Sequence, residues 1–271
     1  MKLMGNTYLI LGSVLVIALV GNLLINRYAS RKPQIVEEKV LNIEEISGIL
    51  GVEIKSDFGD IEIRPTKEQE IRMVLKGNVS EHKKYTFLTN INESTLEIEL
   101  KQRQARLLSM NIFSEMLTLV VYLPEKQFEE INITNDVGSI IVNEVTTKKM
   151  KVRSSVGEIK LNQITAEQTL TTNDIGATQI KDLMGDIQVK SRIGEIKFMA
   201  KTINQNIEMQ SDIGAIRIEV EEVPESAIIN IGTQMGTTRL FGEKTNSFQV
   251  GSGENKVNLS SQIGEIVVRR R

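Results

Sequence analysis

The sequence predicts an all-β protein, in which a parallel, two-sheeted β-solenoid follows a β-rich N-terminal section and one transmembrane helix. Three observations lead to this fold class. A short phrase centred on glycine occurs eight times. Apolar and polar residues alternate along most of the chain from about residue 40, which is the period of half-buried strands. An uncharged apolar run lies near the N-terminus.

The N-terminal run, Thr7–Ile25, contains no charged residue. As a helix it would measure about 28 Å, close to the thickness of a bilayer's hydrocarbon core. A cleaved signal peptide is the alternative, but the segment after the run is a poor small-residue cleavage site. We therefore predict an anchor at residues 1–26 and a juxtamembrane linker at residues 27–42. One basic residue precedes the run and three closely follow it, a difference too small to fix the orientation.

Residues 43–125 are predicted to form the N-terminal β-rich section, because short alternating segments follow one another there. Lys101–Met116 is the exception, and its pattern fits either a short helix or a loop. One glycine phrase, around Gly59, lies in this section, far from the next copy at Gly138. We interpret it as an isolated copy.

Residues 126–271 are predicted to form the solenoid. From Gly138 onward the phrase recurs at intervals of about 20 residues, a period typical of solenoids. The longest interval runs from Gly236 to Gly264. Each glycine is predicted to form a structural corner between two strands, since glycine adopts positive φ without a Cβ clash. The eight corner residues are Gly59, Gly138, Gly157, Gly176, Gly194, Gly214, Gly236 and Gly264.

Positions in each copy are counted here from its glycine. Mostly apolar residues recur at positions −7, −5 and −1 and at +2 and +4, and we predict that all five face the core. The residue at −3 is small and polar in every copy and is expected to hydrogen-bond the local backbone. Seven repeats stacked at about 4.8 Å would give a rod about 34 Å long. The alternative is an antiparallel sandwich in which each phrase is a hairpin.

Acidic residues stand beside the glycines, at −2 in some copies and at +1 in others. Asp174 precedes its glycine and Ala177 follows it, whereas Ser155 precedes its glycine and Glu158 follows it. In a parallel stack this alternation would keep like charges two repeats apart, about 9.6 Å, and so reduce their repulsion. We interpret these columns as a solvated corner, with calcium binding between repeats as the alternative.

The copy around Gly176 is the most polar one. Thr169, Thr171 and Thr178 occupy columns that are aliphatic in most other copies. We predict that this repeat is soft or faces a partner.

The remaining candidate residues give no chemical site. The chain has no Cys, which excludes disulfides and thiolate metal sites. His82, the one histidine, has polar neighbours and is expected at the surface. We interpret residues 251–256, "GSGENK", as a turn rather than a phosphate loop. Arg269–Arg271 is interpreted as a charged end that discourages strand addition. No residue is assigned to catalysis, a cofactor or a metal, and the net charge of −2 gives no reason to expect nucleic acid.

One family resemblance is carried by the glycine phrases together with residues 117–140, "LTLVVYLPEKQFEEINITNDVGSI". A strand ending in V-x-L-P, here Val121–Pro124, leads into successive G-[DE]-I-x-[VIL] repeats. Over residues 45–268 the chain resembles the "putative adhesin" family of β-strand-repeat proteins, a bacterial domain of unknown function. With its N-terminal span it is similar to the LiaG-like, membrane-anchored members of envelope-stress operons. The resemblance implies an extracytoplasmic domain and supplies no catalytic residues.

These observations favour a non-enzymatic, single-pass protein of the bacterial cell envelope. Its rod would present an adhesin-like or scaffold surface to a protein or cell-wall polymer partner, with no cofactor, and the oligomeric state stays open. One alternative is a bactofilin-like cytoplasmic scaffold that polymerises end to end. A carbohydrate-active β-helix enzyme is a third reading, although the sequence shows no cluster of acids and aromatic residues for sugar binding.

Overall fold

The computed structural model describes residues 34–77, 85–102 and 117–271. The predicted anchor at Thr7–Ile25, His82, and residues 103–116 of the predicted helix or loop lie outside these described residues. Within the described ranges, no helix has the length and apolarity needed to cross a membrane.

The protein is all-β, as predicted. A single four-residue helix, α1 (Ile43–Ile46), accompanies 20 strands within the described ranges. The N-terminal section contains β1 (Gln34–Leu41), β2 (Gly51–Ser56), β3 (Asp60–Thr66), β4 (Ile71–Gly77), β5 (Tyr85–Asn92), β6 (Thr95–Gln102) and β7 (Leu117–Pro124).

The repeats supply the other strands. These are β8 (Gln127–Val137), β9 (Ile140–Asn143), β10 (Thr146–Val156), β11 (Ile159–Ile175), β12 (Thr178–Ile193), β13 (Ile196–Ala200), β14 (Ile207–Ile213), β15 (Ile216–Val220), β16 (Ala227–Met235), β17 (Thr238–Leu240), β18 (Ser247–Val250), β19 (Asn255–Ile263) and β20 (Ile266–Arg270). All 20 strands are linked by hydrogen bonds into one sheet, which curls around one continuous core.

Successive repeats stack in parallel. The strand before a glycine and the strand after it form one rung, which we name by its glycine. Met150 pairs with Ile131, and on the other side with Thr169, so equal positions of neighbouring repeats meet. This parallel register excludes the antiparallel sandwich for the repeats.

The Gly59 copy is part of the stack, so its interpretation as an isolated copy was wrong. Its strand β2 pairs in parallel with β8, with Val52 opposite Ile131, and β3 pairs with β9. A further rung without a glycine corner lies outside it, since β6 pairs with β2 and β7 with β3. After the Gly59 rung the chain builds β4 to β7 on the outer side, then returns to continue the stack.

The last two repeats exchange places relative to their order in the chain. Met209 of β14 pairs with Leu259 of β19, and Leu259 pairs on its other side with Ile231 of β16. On the opposite wall, β20 lies between β15 and β17. The rungs therefore run Gly194, Gly214, Gly264, Gly236, and the chain-order stacking predicted from the sequence was wrong at this end.

Most strands at the ends of the stack run antiparallel to their neighbours. At the N-terminal end β5 pairs with β6, β4 with β7, and β1 with β4. At the other end β18 pairs antiparallel with β16, whereas β17 ends the opposite wall in parallel with β20.

The core contains four of the five predicted columns. Residues at −7, −5, +2 and +4 are buried in the glycine rungs, apart from Thr238 in the outermost rung, which is half-buried. Position −1 is the exception: seven of its eight residues are exposed large hydrophobics. The core prediction for this column was wrong, and its exposure defines the surface described next.

Candidate functional site

The glycine corners form a backbone ladder along one edge of the stack. All eight glycines have positive φ, from 92° at Gly59 to 157° at Gly264. A Cβ atom on Gly157 would lie 2.0 Å from the carbonyl oxygen of Gly138, and one on Gly138 would lie 2.2 Å from that of Gly59. Such distances leave no room for a side chain, so the corner requires glycine for close approach as well as for conformation.

The polar residues at −3 fasten the corners to one another. Asn135 donates from Nδ2 to the carbonyl oxygen of Gly59 at 2.9 Å, and Ser261 donates from Oγ to that of Gly214 at 3.1 Å. Asn173 reaches both the neighbouring rung and its own, at Gly157 and Ala177. The local backbone bond expected at −3 is present at Ser56 and Asn173, and a bond to the adjacent rung recurs at several corners.

The exposed residues at −1 form a continuous apolar line. We call them the corner ladder: Val137, Val156, Ile175, Ile193, Ile213, Ile263 and Met235, in spatial order. Neighbours in this order are register partners on adjacent strands. Their exposed fractions lie between 43% and 66%. Six intervals of about 4.8 Å give the ladder a length of about 29 Å.

The exposure of −1 follows from where the chain turns. At the central corner Asn173 is buried, Asp174 is half-buried and Ile175 is exposed, so two consecutive side chains point away from the core. The strand pairing also omits position −2, passing from Ser154 directly to Val156. The extra residue is absorbed before the glycine, not at it, and −1 is left on the outside.

Acids border the ladder on its −2 side, where each of three is held by a neighbouring rung. Asp136 accepts a hydrogen bond from Ser155 at 3.5 Å, and Asp212 accepts one from Gln262 at 2.9 Å. Asp174 lies 3.5 Å from a guanidinium nitrogen of Arg153 and 3.8 Å from one of Arg192, on the rungs before and after it.

On the +1 side, acidic and neutral residues alternate without a break when the rungs are taken in spatial order. That order is Asp60, Ser139, Glu158, Ala177, Glu195, Ala215, Glu265 and Thr237. Asp60 accepts a hydrogen bond from the backbone N–H of Ser139 at 2.8 Å. Arg217, on the neutral rung between two acidic ones, forms ion pairs with Glu195 and, at 3.9 Å, with Glu265.

No group of three or more His, Cys, Asp or Glu side chains suited to a metal ion occurs within the part of the chain that the structure describes. The corner acids described above are engaged in contacts between rungs, and Glu158 pairs with Lys160 of its own rung at 2.8 Å.

A buried carboxylate, Glu219, ties three rungs together near the C-terminal end. Its oxygens lie 2.9 Å from Nζ of Lys197 and 3.1 Å from Nε of Arg269. Burial alone would raise the pKa of Glu219, but hydrogen bonds and charge from these two cations outweigh it and lower the pKa below its ordinary value. Arg269 and Arg270 thus lie on β20, which is inserted between β15 and β17, and the interpretation of Arg269–Arg271 as a charged end that discourages strand addition was wrong.

The most polar rung is an interior one. Thr169, Thr171 and Thr178 are buried between the Gly157 and Gly194 rungs, so they cannot face a partner. The hydroxyls of Thr169 and Thr171 have no hydrogen-bond partner, while that of Thr178 lies 3.4 Å from Nδ2 of Asn173.

Two other parts of the surface are a cavity and the turn that resembles a phosphate loop in sequence. A cavity of about 550 Å³ lies at the opposite corner, beside Lys126 and Phe128. The Lys126 amine donates to the carbonyl oxygens of Ile46 and Ile49, and burial lowers its pKa. Residues 251–254 form the turn between β18 and β19, where Ser252 shares a hydrogen bond with Ser226, and residues 255 and 256 already belong to β19.

The comparisons with known proteins give a family and two distantly similar solved structures. A model of the Toastrack DUF4097 family matches residues 49–269. A crystal structure of a "putative cell adhesion protein" from Clostridium sporogenes is 14% identical, with 89% of this chain and 100% of that chain covered and a TM-score of 0.42. A "putative adhesin" from Bacteroides fragilis is 15% identical, with 88% and 98% covered and a TM-score of 0.46. No curated protein matches the chain.

Proposed function

This chain belongs to the Toastrack DUF4097 family, and from that premise we propose that it is a non-enzymatic, membrane-anchored protein of the bacterial cell envelope. Its rod presents the glycine corner, as an adhesin-like or scaffold surface, to a protein or cell-wall polymer outside the cytoplasm. It acts in the response to envelope stress, a role that rests on its similarity to LiaG-like proteins.

The observation that carries this proposal is the corner ladder. Seven apolar side chains in a row stand partly in solvent, on a stack whose glycine corners are packed backbone against backbone. Contiguous exposed apolar surface with polar borders is typical of interaction sites. The apolar run Thr7–Ile25 supports anchoring, since its length fits a bilayer.

The ends of the rod argue against the polymerising alternative. A scaffold that grows end to end needs its terminal strands to continue the parallel register of the stack. Here the outermost strands β5 and β18 run antiparallel to their neighbours β6 and β16, and β17, which ends the opposite wall in parallel, is only three residues long. Antiparallel terminal strands interrupt the pattern that a further parallel rung would extend.

The proposal is tested by the side of the membrane on which the rod lies. The chain has no Cys, so a single Gln210→Cys variant, exposed on β14, gives an unambiguous label site. We expect a membrane-impermeant maleimide to label it in intact cells, and to label an Asn6→Cys variant only after permeabilisation. Protection of Gln210→Cys in intact cells would overturn the proposal and favour the cytoplasmic scaffold.

The enzyme alternative has its own test. If the rod cleaved polysaccharide, Asp174 and Asp212 are the corner acids that we would substitute first. We expect the purified chain to release no reducing ends from wall polysaccharide. Cleavage that is lost in Asp174→Asn or Asp212→Asn would show that the rod is an enzyme.

A further inference from the structure

We infer that the corner ladder binds an amphipathic α-helix of a partner protein, whose apolar stripe is flanked by Lys or Arg. The inference rests on the proposed function and names the chemistry of the partner. It is carried by the spacing of the ladder, by the charges on its borders and by the rigidity of its support.

The spacing of the ladder favours a helix over an extended strand. Apolar side chains repeat along the ladder once per rung, about every 4.8 Å. A helix presents one apolar residue per turn, with a pitch of about 5.4 Å, whereas side chains on one face of a strand repeat about every 6.7 Å. The turns of a helix laid along the corner therefore shift by only about 0.6 Å per rung relative to the ladder, so its apolar side chains face those of the ladder over several rungs.

The borders of the ladder favour a basic partner. Across the seven rungs of the ladder the −2 and +1 positions hold six carboxylates and one cation, Arg192. Lys160, Arg153 and Arg217 compensate some of these acids from further out. Asp136 and Asp212 instead accept hydrogen bonds from neutral side chains and keep their charge available to a partner.

The acids also set a repeat for the partner's charges. Between the Gly138 and Gly214 rungs they occur at every second rung on each side of the ladder, about 9.6 Å apart. Two helical turns measure about 10.8 Å, so basic residues seven positions apart on the partner would face successive acids. The two borders are offset by one rung, which places the partner's basic residues alternately on either side of its apolar stripe.

The same charges disfavour two other occupants. A second copy of this chain would bring acids against acids if the two ladders packed together, and like charges at close range destabilise an interface. An anionic membrane would be repelled by the same borders.

The side chains of the ladder are also preorganised for binding. Ile193 and Ile213 are β-branched residues on adjacent strands, fixed in register over glycines that touch through their backbones. β-branched side chains have few rotamers, so little conformational entropy is lost when a partner covers them.

The test uses the full chain in detergent micelles and synthetic peptides as probes. One peptide of about 21 residues, which spans about 31 Å as a helix, carries Leu once per turn and flanking Lys. A matched helix carries Glu in place of Lys, and a third peptide is extended, with alternating Val and Lys. Fluorescence anisotropy measures the affinity of each for the chain and for its variants.

Ladder variants give the decisive comparison. The double variant Ile193→Lys/Ile213→Lys removes two central apolar side chains, and Met184→Lys is the control, because Met184 is 56% exposed on β12 but lies off the ladder. We expect the Lys-flanked helix to bind the native chain and the control equally, and the double variant about tenfold more weakly, since central apolar anchors dominate such interfaces. The Glu-flanked helix is expected to bind more weakly, and added salt to weaken the Lys-flanked complex.

Several results would overturn the inference: no binding of the Lys-flanked helix, equal binding of the native chain and the double variant, or tighter binding of the extended peptide. Binding of anionic vesicles, or self-association, that is lost in the double variant would assign the ladder to a membrane or to a second copy. Failure of the peptide test leaves external labelling of Gln210→Cys unaffected, so it overturns the helix assignment and not the proposed function.

Discussion

Gly264 lies directly against Gly214, a residue two repeats earlier in the chain, because the last repeat is inserted next to the Gly214 rung. A Cβ atom on Gly264 would stand 2.0 Å from the carbonyl oxygen of Gly214, and one on Gly236 would stand 2.0 Å from that of Gly264. The C-terminal repeat therefore lies inside the stack, and its glycine corner packs between the corners of Gly214 and Gly236.

Replacing the inserted glycine should destabilise the fold strongly. In Gly264→Ala the new methyl group would meet a backbone carbonyl, which cannot move without shifting the neighbouring rung. We expect the free energy of unfolding to fall by about 3 kcal/mol or more, measured by urea denaturation. Gly232→Ala is the matched control, since a Cβ there would meet nothing within 4 Å. Equal stability of the two variants would contradict the close stacking of the glycines.

The exchanged order of the last rungs can be tested by crosslinking. Gln210 pairs with Ser260, and Ser260 pairs on its other side with Gly232. Adjacent strands lie about 4.8 Å apart, which is within the Cα–Cα distance that a disulfide can span. Strands two rungs apart lie about 9.6 Å from each other, which is too far for a disulfide. We expect Gln210→Cys/Ser260→Cys to form an intramolecular disulfide on mild oxidation and Gln210→Cys/Gly232→Cys to remain reduced. The reverse result would restore chain-order stacking.

The stacking of equal positions could be predicted from the sequence, because it depends on local pattern. Aliphatic residues such as Ile131 and Ile133 alternate with polar ones, and the pattern returns with a regular period. Position −1 looked the same in composition, yet residues such as Ile193 are exposed. Composition alone does not distinguish a buried aliphatic column from one that a tight corner turns outward.

The order of the rungs was harder to predict, since a repeat length does not say which repeat is the neighbour. One signal was present. In chain order the +1 column reads Ala215, Thr237, Glu265, which breaks the alternation of acidic and neutral residues, and exchanging the last two repeats restores it. From Gly138 onward, the two longest intervals between repeat glycines, on either side of Gly236, also fall at this exchange. The place of the Gly59 rung had a weaker signal: Asp60 continues the +1 alternation, but strands of the N-terminal section separate the copy from its neighbour in the chain.

The buried threonines of the central rung should limit stability. Thr171 is 2% exposed and its hydroxyl has no hydrogen-bond partner. Valine has nearly the same shape without the hydroxyl, so Thr171→Val should raise the free energy of unfolding by about 1 kcal/mol. Thr172→Val, at a half-buried position on the same strand, should change it by less than about 0.5 kcal/mol. A loss of stability in Thr171→Val would show that the buried hydroxyl is satisfied in solution.

The ion-paired carboxylate of Glu219 should make the C-terminal rungs sensitive to acid. Its pKa in the folded chain lies below its ordinary value of 4.5, with Lys197 and Arg269 as the groups that hold it down. A lowered folded-state pKa contributes stability that is fully present above the ordinary pKa and is lost as the pH falls through the folded value. Glu219→Gln removes that contribution and also leaves the two cations without their shared anion.

Urea denaturation at several pH values measures this contribution. At pH 7 we expect Glu219→Gln to be less stable than the native chain by about 1 to 3 kcal/mol, the range for hydrogen bonds to charged groups. The difference should shrink as the pH falls below 4.5 and passes through the lowered pKa of folded Glu219, because protonation of Glu219 in the native chain removes the same interaction. The exposed pair of Glu222 with Lys201, 3.5 Å apart, provides the control, and Glu222→Gln should change stability by less than about 1 kcal/mol. A difference between the native chain and Glu219→Gln that stays constant with pH would show that Glu219 contributes through packing and not through its charge.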